Sequence, residues 1–288
     1  MAKGREILGR IKSVENTRKI TRTMEMVATS KLKRATDRVV AARPYAQALT
    51  SVIGDLYSPV LAERFPLLRQ PERTRTAAVL LLTSNRGLAG AFNANLIKEA
   101  RSLVRRLEGE GAQVELHVVG RKGIGYFKYV GRSLTSTRTD ITDRPTAEDA
   151  ASLIDGMMEG FSSGRLDAVY VVYAKFNTAI STPPTALRVL PVEPPAKVGG
   201  VQRDYILSPD AESILSELLP LYVRNAVYRA LVETVAGEQG ARRTAMKNAT
   251  DNAGEMLTTL RRTFNRARQA QITQEIAEIV GGAAALSG

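Results

Sequence analysis

One histidine, no cysteine and a glycine-rich turn are nearly the whole stock from which this 288-residue chain could build a reaction centre. Without thiols there are no disulfides, no thiolate metal sites and no redox switches. His117 alternates with Val114, Leu116, Val118 and Val119 in an apolar run, and reads as a partly buried structural residue of a strand. The stretch placed like a phosphate loop is Ser84-Asn85-Arg86-Gly87-Leu88-Ala89-Gly90-Ala91-Phe92-Asn93, between a strand pattern and a helix pattern. Its G-x-x-G spacing matches neither the dinucleotide fingerprint nor the P-loop. Gly120, Gly123 and Gly125 follow the wrong order as well, so both clusters read as turn glycines. Carboxylates are scattered over helix faces, and no acid/base pair is singled out. No metal, cofactor or small-molecule substrate is therefore expected, and the chain reads as a structural or mechanical part.

Charge carries more information than any motif. The net charge is +12, and residues 1–50 hold twelve Lys or Arg, Lys19 among them, against four acids. That stripe of +8 calls for a polyanion: nucleic acid, an anionic membrane surface or an acidic protein surface. Only Tyr45 and Tyr57 interleave with it, at its far end, which leaves little to stack on bases. A basic coiled-coil nucleic-acid-binding protein is the alternative reading. The best apolar run, residues 77–82, is strand length, far short of the roughly 20 residues that span a bilayer. The N-terminus has no secretory h-region, and Glu6, Glu15 and Glu25 interrupt the basic run that an organellar transit peptide would need.

The elements that would present this surface are long helices. Leu32, Ala35, Val39, Ala42, Ala46, Leu49, Ile53 and Leu56 alternate by three and four, a coiled-coil seam. Upstream, Ile7, Ile11 and Val14 are followed by Ile20, Met24 and Val27, which predicts shifts of phase. Pro44 predicts a bend. A second long helix is expected after Ser208-Pro209-Asp210, with the Ser208 hydroxyl as cap and Pro209 in the first turn. Pro220 could divide it, Met246, Ala249, Ala253, Met256 and Leu260 would carry its seam, and Gly281-Gly282 would stop it. Between the helices, residues 76–84, 113–120, 167–176 and 185–192 read as strands and 93–108 and 146–161 as helices. Such alternation predicts a small, mostly parallel, open α/β sheet. The expected organisation is an N-terminal helix over 1–58, a linker over 59–75, an α/β domain over 76–200 and a C-terminal helix over 201–288. If the sheet domain's entry and exit are close together, the helices run antiparallel. At 1.5 Å per residue they measure roughly 80 and 110 Å, so the last ~20 residues should project as a single helix from a rod with an offset globular foot.

The segments ITRTMEMVATSKL (20–32) and ARPY (42–45), then AMKNATDNA (245–253) and NRARQAQITQEI (265–276), resemble the γ subunit of rotary F-type ATP synthases. SNRGLAG (84–90) is similar to a turn in that family's middle domain, while residues 110–200 match only in pattern. The resemblance implies an antiparallel coiled coil of the terminal helices with a Rossmann-like α/β domain between them, serving as a non-catalytic rotating shaft. Its partners would be the α3β3 hexamer, the ε subunit and the c-subunit ring, at the cytoplasmic face of a bacterial membrane, with proton or sodium flow coupled to ATP chemistry on the β subunits. It also implies ring contacts at Lys19, Met24, Arg242, Arg268, Gln269, Thr273 and Glu275, and contacts to the c ring or ε at Arg86, Gly87, Asp204 and Tyr205. The chain lacks the cysteine-bearing insertion of the chloroplast members, so thiol control is not expected.

Overall fold

The computed structural model describes residues 2–57, 64–193 and 210–286. In chain order the elements are α1 (Ala2–Leu56), a 3-10 turn (Pro66–Leu68), β1 (Thr76–Leu82), α2 (Phe92–Gly109), β2 (Gln113–Val119), α3 (Arg121–Tyr129), β3 (Ser136–Arg138), α4 (Ala147–Ser162), β4 (Ala168–Ala174), β5 (Pro184–Leu190) and α5 (Ala211–Leu286). The chain divides into two compact units, Met1–Ala28 with Arg242–Gly288, and Thr29–Ala241.

The larger unit is built on a five-stranded sheet in the order β3-β2-β1-β4-β5. β1, β2, β3 and β4 run parallel, and β5 lies antiparallel on β4. A parallel sheet is covered on both faces, so its central strand must be apolar throughout rather than alternating. β1 satisfies this, since every residue from Ala77 to Leu82 is buried. Ala77, Val79 and Leu81 pack with α2 residues such as Leu96 and Leu103 on one face. Ala78, Leu80 and Leu82 pack on the other with Ile154 and Phe161 of α4, Ile53 of α1 and Val223 and Val227 of α5. Removing each of these Val, Leu, Ile or Phe side chains from water stabilises the fold by roughly 1.5–3 kcal/mol.

Three expectations are corrected here. α3 and β3 have no counterpart in the sequence reading, because Gly120, Gly123 and Gly125 suggested turns; Gly123 and Gly125 lie within α3, and Gly120 is its N-cap. Pro220 does not divide α5 and Gly281-Gly282 does not stop it, for the helix is continuous through both. A single missing donor or two flexible residues cost about 1–3 kcal/mol each, which the rest of a 76-residue hydrogen-bonded helix absorbs. α1 is continuous through Pro44, where the sequence predicts a bend and not a break. Ser208 and Pro209 lie outside the described residues; the α5 cap within them is Asp210, whose carboxylate accepts from Ser213 N at 2.7 Å. A carboxylate also favours the positive end of the helix.

The smaller unit consists of two helical segments that pair antiparallel. The Thr250 hydroxyl donates to that of Thr21 at 2.8 Å, and Glu15, earlier on α1, meets Arg261, later on α5, at 2.6 Å. Burial on α1 follows Ile7, Ile11, Val14, Thr21, Glu25 and Ala28, all spaced by multiples of three and four. On α5 it follows Met246, Thr250, Ala253, Leu257, Leu260, Phe264, Ala267 and Gln271. The predicted phase shift is absent: Ile20 and Val27 are 60% and 50% exposed, each one residue off the seam, and Met256 is 54% exposed beside buried Leu257. The seam keeps its phase by accepting Thr21, Glu25 and Ala28 between apolar positions such as Ile7 and Leu257, which leaves Ile20, Val27 and Met256 pointing outward.

Candidate protein-binding surfaces and a closed crevice

In an open parallel sheet, ligands bind at the carboxyl ends of the strands where the strand order reverses. Here that point lies between β1 and β4. The turn after β1 is occupied by its own side chains. Asn93 Oδ1 accepts from Ser84 N at 3.0 Å, the Ser84 hydroxyl donates to Arg86 O at 2.6 Å, and Asn85 Nδ2 donates to Thr139 O and Ile141 O. Leu88 and Gly90 hold positive φ to close it. Behind it, the buried Thr83 hydroxyl donates to Val119 O at 2.7 Å and accepts from Gly123 N at 3.0 Å. Gly120, at φ +97°, lets the two strand ends approach: a Cβ there would stand 2.1 Å from Thr83 O.

The β4 side is covered by α5. Phe176 N donates to the Glu233 carboxylate at 2.9 Å and Ala174 N to the Thr234 hydroxyl at 3.4 Å. A Cβ on Gly237 would lie 3.1 Å from Ala174 Cβ and 3.3 Å from the Phe92 ring, and one on Gly240 only 2.7 Å from Ala179 O. α5 therefore fills the place a nucleotide takes in related architectures, and small residues make that approach geometrically feasible. Burial, with the Glu233 carboxylate, pushes the Tyr173 hydroxyl up to about 12. His117 is the structural residue its context suggested: Nδ1 is 2.7 Å from the Ser136 hydroxyl and Nε2 3.7 Å from the Glu115 carboxylate. Burial lowers its pKa, against the raising effect of Glu115.

Two surfaces remain that other molecules could read. The first is basic. Lys31, Arg34, Arg38 and Arg144, with Asp143 and Gln239, line an open cavity of about 190 Å³ in the larger unit. Lys31 Nζ is 2.5 Å from the Asp143 carboxylate, and Arg38 donates to Asp143 O at 3.0 Å. Lys31, and more weakly Arg86, hold the Asp143 carboxyl below its ordinary range against partial burial. The second is apolar and belongs to the smaller unit. It is made of separate exposed side chains, Leu8, Ile20, Met26 and Val27 of α1 and Met256 of α5, and of Ile272, Ile276, Ile279 and Val280 at the end of α5. Every residue from 272 to 283 is exposed on all faces of the helix.

Of the predicted contact residues, Thr273 and Glu275 lie in the exposed end of α5 and none lines the cationic cavity. Lys19, Arg268, Gln269, Thr273 and Glu275 are exposed, Met24 is half-buried beside the seam, and Arg242 is buried. Thr273 Oγ1 donates to Gln269 O at 3.0 Å, so these two share a face, and Glu275 accepts from Gln271 at 2.9 Å. Arg86 is exposed and Gly87 half-buried, in the turn after β1. Asp204 and Tyr205 lie outside the described residues. The cationic cavity, the Thr21–Thr250 pair and the α5 crevice contacts escaped sequence reasoning. The pair of threonines at seam spacing was the one readable signal among them.

Paired terminal helices, an α/β domain whose ligand crevice its own helix fills, and exposed apolar and cationic helix faces define a class: a structural subunit that acts through protein contacts. A family model described as ATP synthase matches residues 3–286. The ATP synthase gamma chain of Gemmatimonas aurantiaca is 70% identical over 290 residues, spanning 100% of both chains. That of Leptospira biflexa is 42% identical over 289 residues, again 100% of both. Among solved structures, a chain from the central stalk and c ring of the Tetrahymena thermophila mitochondrial ATP synthase matches at TM-score 0.62 and 26% identity, over 80% of this chain and 99% of that one. A chain of the Euglena gracilis mitochondrial enzyme matches in fold at TM-score 0.69 and 19% identity, over 99% and 95%. The chain belongs to the ATP synthase gamma chain family.

Proposed function

We propose that this chain is the central rotating shaft of an F-type ATP synthase, itself non-catalytic, coupling ion flow through a membrane c ring to ATP synthesis and hydrolysis on β subunits. The observation that carries the reading is the end of α5, where Ile272, Ile276, Ile279 and Val280 stay exposed on a helix segment with every face open to solvent. A lone helix of that length is marginal in water, and such a stripe marks a protein contact. A collar of α and β subunits would supply the missing cover. An asymmetric shaft in a three-fold ring favours a different conformation in each β subunit, and turning it cycles those preferences. The asymmetry rests on the off-seam residues Ile20, Met26, Val27 and Met256, not on shifts of seam phase. The cationic cavity would take acidic segments of the ring, and neither the family nor the site favours nucleic acid. Arg86 and Gly87, with Asp204 and Tyr205, would face the c ring and ε.

No helix among the described residues is long and apolar enough to cross a membrane, so attachment would be peripheral, through the c ring, at the cytoplasmic face of a bacterial membrane. Affinity capture of the chain from membranes, with mass measurement of the co-purified subunits, tests this. The expected set is α, β, ε and c. Recovery without α and β would overturn the shaft.

A further inference from the structure

The cationic cavity has one feature that its proposed role does not require. Four cations converge on it, and the carboxylate among its lining residues comes from the chain itself. Asp143 belongs to the segment between β3 and α4. That segment is anchored on one side by Asn85 bonding to Thr139 O and Ile141 O and by the buried Ile141 side chain. On the other it is anchored by the Thr146–Asp149 capping box of α4. Pro145 is buried, while Thr142, Asp143 and Arg144 are exposed. Between firm anchors, three residues reach across to α1 and place a carboxylate on Lys31. Arg34, by contrast, bonds to Ser30 of its own helix at 3.3 Å.

We propose that Asp143 is an internal competitor, a strap carboxylate that occupies the cationic cavity until an acidic peptide segment of a partner subunit displaces it from Lys31. This rests on the reading of the cavity as a contact for acidic segments, and adds how that contact is regulated. Energetics make exchange feasible. The Lys31 and Asp143 side chains are 30% and 43% exposed, so the pair is solvent-screened and its net contribution small. An incoming carboxylate also gains Arg34 and Arg144, whose forked donors suit carboxylates better than the single Nζ of Lys31. Only the Asp143 side chain need leave Lys31, since the Arg38 bond to Asp143 O, Arg144 and the anchors on both sides stay in place. The strap thus prevents the cavity from holding stray anions while adding little to the barrier for the proper partner.

The test uses the full chain and a fluorescent hexaglutamate peptide, with binding followed by anisotropy at several salt concentrations. Asp143→Asn should bind the peptide roughly 2- to 5-fold more tightly, because the competitor is gone. Arg34→Gln with Arg144→Gln, which leaves Lys31 and Arg38 on the strap, should bind it roughly tenfold more weakly. If Asp143 only clamps the fold, Asp143→Asn will bind no better or lose helicity by circular dichroism, and either result overturns the proposal. Binding of pyrophosphate but not of the peptide overturns it too, by assigning the cavity to small anions. No ring subunit is present in this assay, so failure of the strap is distinct from failure of the shaft, which subunit capture reads separately.

Discussion

Single side chains here act mostly through what they allow others to approach. Gly120 is the clearest case: its positive φ and the 2.1 Å separation between a built Cβ and Thr83 O leave no room for any side chain. Gly120→Ala should destabilise the larger unit by about 3 kcal/mol or more, read as a fall in chemical-denaturation midpoint, because it combines left-handed strain with a backbone clash. Gly125, on α3 with nothing within 4 Å of a built Cβ, is the matched control and should tolerate alanine. Met24 is the residue at which charge should matter most. It is half-buried beside Thr21 and Glu25, at the edge of the seam. A lysine there would keep its stem on the seam and extend its ammonium outward, towards acidic segments of the ring. Met24→Lys is expected to leave ATP hydrolysis largely intact while lowering ATP-driven proton uptake several-fold. Both are measured in the same membrane vesicles, and equal loss of the two, or loss of neither, would remove Met24 from the coupling contact.

At the scale of elements, the two helical segments of the smaller unit separate seam from outer face with unusual clarity. The seam buries Thr21, Ala28, Thr250 and Ala253, and the outer face exposes Ile20, Met26, Val27 and Met256. Around residues 20–28 of α1 that arrangement inverts the usual amphipathic helix, where burial of the larger side chains drives pairing. Its physical reading is that the outer face expects company. Ile20→Ser with Val27→Ser should change the thermal stability of the isolated chain by no more than about 0.5 kcal/mol, as for exposed positions generally. The same pair should weaken assembly with α and β subunits, seen as a higher subunit concentration needed to form the complex. Leu257→Ala, 3% exposed on the seam, should instead cost about 2–4 kcal/mol of chain stability. A result in which the serine pair destabilises as much as Leu257→Ala would mean that the outer face is covered within the chain.

For the whole molecule, the proposed shaft places ATP chemistry on its partners. The crevice is filled by Glu233, Thr234, Gly237 and Gly240, and no group of three or more potential metal ligands occurs among the described residues. The purified chain should therefore show no ATP hydrolysis, and its helicity should rise when α and β subunits are added, as residues 272–283 acquire a surface to lie against. Turnover that co-elutes with highly purified chain, or helicity indifferent to those subunits, would contradict this.

Periodicity and charge determined much of this protein without any structure. The three–four spacing from Leu32 to Leu56 marked a seam that is buried at Leu32, Ala35, Val39, Ala46, Leu49, Ile53 and Leu56. The unbroken apolar run at 77–82 marked the central strand of a sheet covered on both faces, and the G-x-x-G turn disclosed no phosphate loop. These features are local, set by how often a side chain returns to the same side of its own backbone. What only the tertiary structure decided is which of two apolar sets a helix buries. Around residues 20–28, spacing alone favoured Ile20, Met24 and Val27 over Thr21, Glu25 and Ala28, because hydrophobicity was the only criterion available. Pairing of two antiparallel helices admits one phase, and a hydroxyl that finds its partner across the seam, as Thr21 finds Thr250, can be buried without an unsatisfied group. Glu233 is buried in the same way against Phe176 N, and Asp143 meets Lys31 at the surface, contacts between residues 57 and 112 positions apart. No window along the chain contains both partners, so their meeting is a property of the fold.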